Sequence, residues 1–261
     1  MRLHKGPASL AFKALPSLLL LAALALQSSF MAGVLADCGS DGHYIVGYYP
    51  SWKRADLQNI SWDKLTHVQL AFGIPKSDGT ISYDGDWFTS QVVSQAHSNN
   101  VSVTLSVGGW TGSSKFSDIL KNSQVKGTFI DSIVSTVRSS DLDGIDIDWE
   151  YPGRLGDNCN VFDPQNDANN FKQFLKELRE RFDKEFGTSP DTRKIISLAV
   201  RVEPFDTPSG PLTDVSEFAE SVDFASIMAF DINGAWSNTT GPLAPFNYEQ
   251  GKGDAYSVTQ A

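Results

Sequence analysis

Short runs dense in β-branched and aromatic residues recur along the chain: YIVGYY (44–49), THVQLAFG (66–73), VSVTLSV (101–107), DGIDIDWE (143–150), IISLAVR (195–201) and VDFASIMAF (222–230). Runs of this kind predict strands that are mostly buried. Between them the apolar positions change to three- and four-residue steps. In DANNFKQFLKELRERFDKEFG (167–187), Phe171, Phe174, Leu175, Leu178, Phe182 and Phe186 form one stripe, with Asp167 as a candidate cap and Gly187 as a stop. VKGTFIDSIVSTVRSSD (125–141) repeats the pattern through Phe129, Ile133, Val134 and Val137. Strand and helix in repeated alternation predict a parallel α/β sheet, either closed as a (β/α)8 TIM barrel or open and doubly wound. No linker-like or short-period stretch divides residues 37–261, so they read as one domain.

One strand carries an unusual polar face. In DGIDIDWE, Asp146, Asp148 and Glu150 point one way while Ile145, Ile147 and Trp149 point the other. An open sheet would press the carboxylates under an apolar helix, which is expensive for unpaired charge. A barrel instead sends them into a lumen whose C-terminal mouth holds the active site. The barrel is therefore the expected fold, with Glu150 at the mouth and Asp148 and Asp146 at successively deeper layers, roughly 6 to 7 Å apart. Carboxylates this close raise one another's pKa, so at least one keeps its proton near neutral pH. Ligation of Ca²⁺ or Mg²⁺ fits less well, because a rigid strand spaces its oxygens too widely. Neither a metal nor an organic cofactor is expected.

The first 36 residues change the picture of where the protein works. Arg2, Lys5 and Lys13 precede the apolar run LLLLAALAL (18–26), and small residues stand at Val34 and Ala36. This predicts a secretory signal cleaved after Ala36, the run being too short to span a bilayer. Its removal takes away basic residues only, deepening a net charge that is already −10. Nucleic acid and anionic membrane are thus poor partners. Sequons at Asn59, Asn100 and Asn238 suit a glycosylated exterior protein. The two cysteines remaining, Cys38 and Cys159, fall at opposite ends of a barrel and are expected not to bridge.

DGIDIDWE resembles the D-x-x-D-x-D-x-E signature of family 18 glycoside hydrolases, the chitinases. LSVGGW (105–110) resembles their S-x-G-G segment on the third strand, and IMAFDINGAW (227–236) stands where their M-x-Y-D segment ends the sixth. VGYYPSW and QLAFG look like the first and second strands, and RVEPFD and GPLTDVSEFA resemble fungal members. The resemblance implies a secreted hydrolase, extracellular or in the cell wall, that cleaves β-1,4 bonds between N-acetylglucosamine units. Its partner would be chitin or chito-oligosaccharides, and it would be a monomer at full length. Glu150 would protonate the leaving oxygen. The substrate's own acetamido carbonyl would attack the anomeric carbon, Asp148 would hold that acetamido group, and Asp146 would tune Asp148. Tyr48, Phe72, Gly109, Trp110, Tyr151, Met228, Phe230, Asp231 and Trp236 occupy the positions expected to line the sugar site. Trp110 and Trp236, on loops after strands, could stack on sugars or belong to the core; Trp149 points outward to the helices. Gly108 and Gly109 could simply turn the chain.

A catalytically silent carbohydrate-binding relative is an alternative, against which the presence of Glu150 argues. An endo-β-N-acetylglucosaminidase acting on N-glycans is another. Two departures bear on these choices. Phe230 replaces the tyrosine of M-x-Y-D and brings no hydroxyl to the acetamido oxygen, a loss worth about 2.7 to 4 kcal/mol where such a donor acts on the transition state. Strand starts come about 36 residues apart, so an eight-strand barrel would need some 70 residues more. The expectation is a barrel of about six β/α units, with open edges prone to association and a lumen open to water.

Overall fold

The structure, a computed structural model, describes residues 43–83 and 86–261. Residues 1–36, expected to be a secretory signal, and Cys38 lie outside the described residues. In chain order the strands are β1 (Val46–Pro50), β2 (His67–Pro75), β3 (Ile81–Ser82), β4 (Ser102–Gly108), β5 (Gly144–Asp148), β6 (Ile195–Val200), β7 (Asp206–Thr207), β8 (Gly210–Pro211) and β9 (Phe224–Ile227). The α-helices are α1 (Asp86–His97), α2 (Phe116–Leu120), α3 (Ser123–Ser139), α4 (Asp167–Phe186) and α5 (Ser216–Ala219).

β1, β2, β4, β5, β6 and β9 lie side by side in that order, and each neighbouring pair is parallel. These are the six apolar runs of the sequence. β3 folds back on β2, and β7 with β8 forms a separate hairpin. Among the described residues β1 and β9 are the two ends of the sheet and do not pair, so the architecture is a six-strand arc of a TIM barrel.

The outer face of the arc packs against the helices. Ile145, Ile147 and Trp149 are all buried, and Trp149 stacks on Phe116 at 5.3 Å and meets Phe171 edge-on at 5.3 Å. The α4 stripe lies against it, with Phe129 of α3 stacked on Phe174 at 5.3 Å. Each fully buried side chain of this type contributes roughly 1.5 to 3 kcal/mol. Gly187, at φ 107°, ends α4 as expected. Asp167 is not its cap. It lies inside the first turn, fully buried, and accepts from Ser117 Oγ (2.6 Å), Asp163 N (2.6 Å) and Gly153 N (3.2 Å). That role ties the loop after β5 to the helix and could not be foreseen from spacing. His97 of α1 bonds Asp143 Oδ2 at 2.9 Å, and the same oxygen accepts from Val103 N, which pins the helix beneath β4 and β5.

The end strands differ from the interior ones. Ala225 and Ile227 on β9 are exposed, and the strand, Phe224–Ile227, is shorter than its apolar run. At the bottom of the lumen Tyr44 packs on His67 (4.7 Å) and Phe224 (5.2 Å), an aromatic plug spanning from the start of β1 to β9.

Gly144 marks the tightest approach between strands. A Cβ there would stand 2.0 Å from the backbone oxygen of Ile195, its partner across the β5–β6 pairing. Gly144→Ala is therefore expected to force β6 away and lower stability by about 3 kcal/mol or more, read as a fall in the urea midpoint.

Candidate active site

The acidic face of β5 is flanked by hydroxyls. Parallel pairing sets Ser106 of β4 and Ser197 of β6 opposite Asp146, with all three fully buried. Asp146 Oδ2 accepts from Ser106 Oγ (2.7 Å) and from the Tyr48 hydroxyl (3.1 Å), and Oδ1 accepts from Ser197 Oγ (2.7 Å). Gln69 Nε2 donates in turn to Ser197 Oγ at 2.9 Å. Burial pushes the Asp146 carboxyl up, and these donors oppose the push.

Asp148 has no such help. It is buried, its Oδ1 has no hydrogen-bond partner, and burial followed by the charges of Glu150 and Asp146 pushes its pKa up to about 8. At neutral pH it is a neutral acid. Glu150, two residues beyond the end of β5, is 9% exposed. Burial raises its pKa, a hydrogen bond with Tyr151 opposes the rise, and the charge of Asp231 adds to it. Burial and the neighbouring acids raise the Tyr48 and Tyr151 hydroxyls as well, so both stay protonated donors.

The expectation that an open arc would hydrate this ladder is incorrect. Asp146 is 0% and Asp148 4% exposed, because Tyr48, Ser106 and Ser197 crowd it from three strands inside the arc.

The backbone at the mouth is held as closely as the side chains. Gly108, at φ 119°, brings β4 so near β5 that a Cβ would meet Asp148 O at 2.1 Å. Gly109, at φ 80°, donates its N–H to the same oxygen at 2.9 Å and lies under the Phe72 ring. The glycine pair thus turns the chain and allows the close approach at once. Ser113 Oγ accepts from Glu150 N at 2.9 Å, with Gly109 O and Asp148 O in reach of its proton. Asn160 Nδ2 donates to Glu150 O at 2.6 Å.

Aromatic surfaces ring the mouth. Trp110 is half exposed and stands edge-on to Tyr151 at 6.4 Å, while Arg154 and Arg201 lie over the Tyr151 ring. Trp52 is 67% exposed and faces Phe72 at 6.5 Å. Beyond β9, Met228 is half-buried and Asp231 takes φ 53°. Phe230 and Trp236 are open to solvent, the Trp236 ring lying against Gly234.

Residues 44–261 match glycosyl hydrolases family 18. The chain belongs to that family. A chitinase-like effector of Moniliophthora roreri is 36% identical over 239 residues, which cover 89% of this chain and 54% of that protein. A chitinase from Rhizomucor miehei superimposes with a TM-score of 0.75 at 36% identity, covering 84% of this chain and 57% of the other. Group II chitinase catalytic domain 2 of Ostrinia furnacalis, in complex with (NAG)5, gives 0.70 at 25% identity, covering 83% and 58%. The chain spans about half the length of the curated relatives it matches.

Within this family 18 arc, Gln69, Ser106, Ser113, Asn160 and Ser197 contact the acids or their backbone without having been named from the sequence. Three of them had a signal. VSVTLSV places Ser102, Thr104 and Ser106 on one parity, and Gln69 and Ser197 interrupt apolar strands on the same inward face. Ser113 and Asn160 sit in loops, where parity gives no direction.

An acid whose pKa is raised on folding destabilises the folded state as it ionises. The unfolded Asp148 loses its proton near 3.8 and the folded one near 8, so stability is lost as pH climbs through that interval. Asp148→Asn removes the loss. Its melting temperature should exceed that of the parent, with a gap that widens from about pH 5 to about pH 8, as scanning calorimetry would show.

Proposed function

We propose that this family 18 chain is part of a secreted hydrolase that cleaves β-1,4 bonds between N-acetylglucosamine units, with Glu150 as proton donor. The observation that carries the reading is the unequal surroundings of the acids: Asp146 deep in the lumen with donors from three strands that oppose the upward push of burial, Asp148 above it with an unpartnered oxygen and a pKa pushed up to about 8, and Glu150 at the mouth, raised by burial. Pairs of acids driven apart by their surroundings divide the labour of acid catalysis.

In the proposed reaction the sugar lies across the exposed aromatic faces with its glycosidic oxygen at Glu150. The acetamido carbonyl oxygen of the same sugar attacks the anomeric carbon while Glu150 delivers its proton to the leaving oxygen. Asp148 accepts a hydrogen bond from the acetamido N–H and so orients the carbonyl oxygen for attack. Glu150, now a carboxylate, takes a proton from the water that attacks the same carbon, which restores the acetamido group with retention. The (NAG)5 complex of the Ostrinia furnacalis relative supports the choice of ligand class.

A second reading is favoured by one residue. Phe230 brings no hydroxyl to the acetamido oxygen, so an oligosaccharide-binding protein with slow turnover is the alternative, in keeping with the M. roreri relative described as chitinase-like.

Turnover of a fluorogenic chito-oligosaccharide, set beside release of glycan from a glycoprotein, distinguishes these readings. Glu150→Gln should abolish hydrolysis while leaving oligosaccharide affinity and melting temperature largely intact, since the amide keeps the shape and cannot give the proton; residual hydrolysis above a few per cent would contradict the assignment. Phe230→Tyr should raise kcat about tenfold or more by restoring a donor to the transition state. No gain would mean that another group already serves the acetamido oxygen.

A further inference from the structure

Two of the residues around Asp146 come from strands that carry no acid. Ser197 of β6 and Gln69 of β2 are both fully buried. The Gln69 amide nitrogen has only protons to give, so at 2.9 Å it uses Ser197 Oγ as an acceptor. Ser197 has one hydroxyl proton, and it is left for Asp146 Oδ1 at 2.7 Å. Gln69 adds a further hydrogen bond favouring the charged form of Asp146. Asp148, on the same face, has an Oδ1 without partner. Gln69 Oε1 is also buried without partner, a penalty that a residue serving only to fill space would avoid.

We infer that Gln69 and Ser197 are positioning residues that decide which aspartate keeps the proton the two cannot both lose. The amide fixes the polarity of the chain, so the serine can only donate to Asp146; that donation favours the anion of Asp146 against the push of burial and leaves the shared proton to Asp148. The other titratable groups facing the pair are Tyr48 from β1 and Glu150 at the end of β5, with Tyr151 and Asp231 acting on Glu150. β4 and β6 contribute only hydroxyls to Asp146. Tyr48 and Ser106 both donate to Oδ2. The Gln69–Ser197 chain serves the opposite oxygen.

The catalytic consequence rests on the proposed hydrolase reading, whereas the location of the proton does not. The test is a carboxyl ¹³C NMR titration of the full chain labelled on aspartate, assigned through Asp146→Asn and Asp148→Asn. In the parent, Asp148 should titrate well above Asp146. In Gln69→Met, which keeps volume and removes the amide, and in Ser197→Ala, the midpoint of Asp146 should rise by about one pH unit or more and that of Asp148 should fall. Ser197→Thr should restore the parent order. Unchanged titrations in folded Gln69→Met and Ser197→Ala would overturn the inference; if the first fails to fold, the second decides alone. In a hydrolytic form, Gln69→Met should lower kcat about tenfold and shift the pH profile, with KM within about twofold. A parent without turnover would refute the hydrolase reading and leave the titrations to judge this one.

Discussion

Three carboxyl groups on one face of one buried strand cannot be equally charged, and the structure around β5 is organised by that constraint. Like charges a few ångströms apart, largely removed from water, repel far more strongly than on a surface. The fold meets this by unequal treatment. Asp146 receives hydroxyl donors from three strands, Asp148 has an unpartnered oxygen and stays neutral at neutral pH, and Glu150 stands at the mouth with a tyrosine hydroxyl. The regular alternation of Asp, Asp and Glu thus yields groups in different electrostatic surroundings.

Holding such a polar face in place requires stability from elsewhere. The opposite face of the same strand supplies it, through Ile145, Ile147 and Trp149 against α2, α3 and α4. The two faces are coupled rigidly, because residues one apart on a strand share a backbone. Gly108 and Gly144 let the neighbouring strands approach closely enough to deliver Ser106 and Ser197 to Asp146. Aromatic packing outside and hydroxyl geometry inside are therefore one structural problem.

The sequence made the strand order, the α4 stripe and the acid ladder legible because each rests on periodicity, which one chain displays directly. The inward face of β5 was evident since its acids are improbable in a buried strand unless they serve a site. Ser197 and Gln69 were less visible: single polar residues in apolar strands have the right parity but no chemistry that demands a site, whereas Ser106 stands in the S-x-G-G segment without its partner being evident from it. Asp167 looked like a helix cap because caps are read from neighbours in sequence, whereas its partners Ser117 and Gly153 come from elsewhere in the fold. Trp52 could have been core on composition alone, and its 67% exposure at the mouth is a tertiary fact.

The open sides of the arc do not coincide with the centre of the chemistry. β5 lies between β4 and β6, and the groups that tune Asp146 come from β1, β2, β4 and β6. Desolvation of Asp146 is therefore produced by neighbours up to three strands away and does not require β1 and β9 to pair as strands. The exposed aromatic side chains at the mouth are placed differently. Trp52 and Tyr48 stand on the β1 side, while Phe230, Asp231 and Trp236 stand beyond β9, so these exposed side chains belong to the two ends of the arc. The surroundings of the acids are thus set mainly in the interior of the sheet, and the exposed aromatic surface is set at its margins. Changes around Asp146 should accordingly act on proton location in a way that changes at the margins do not.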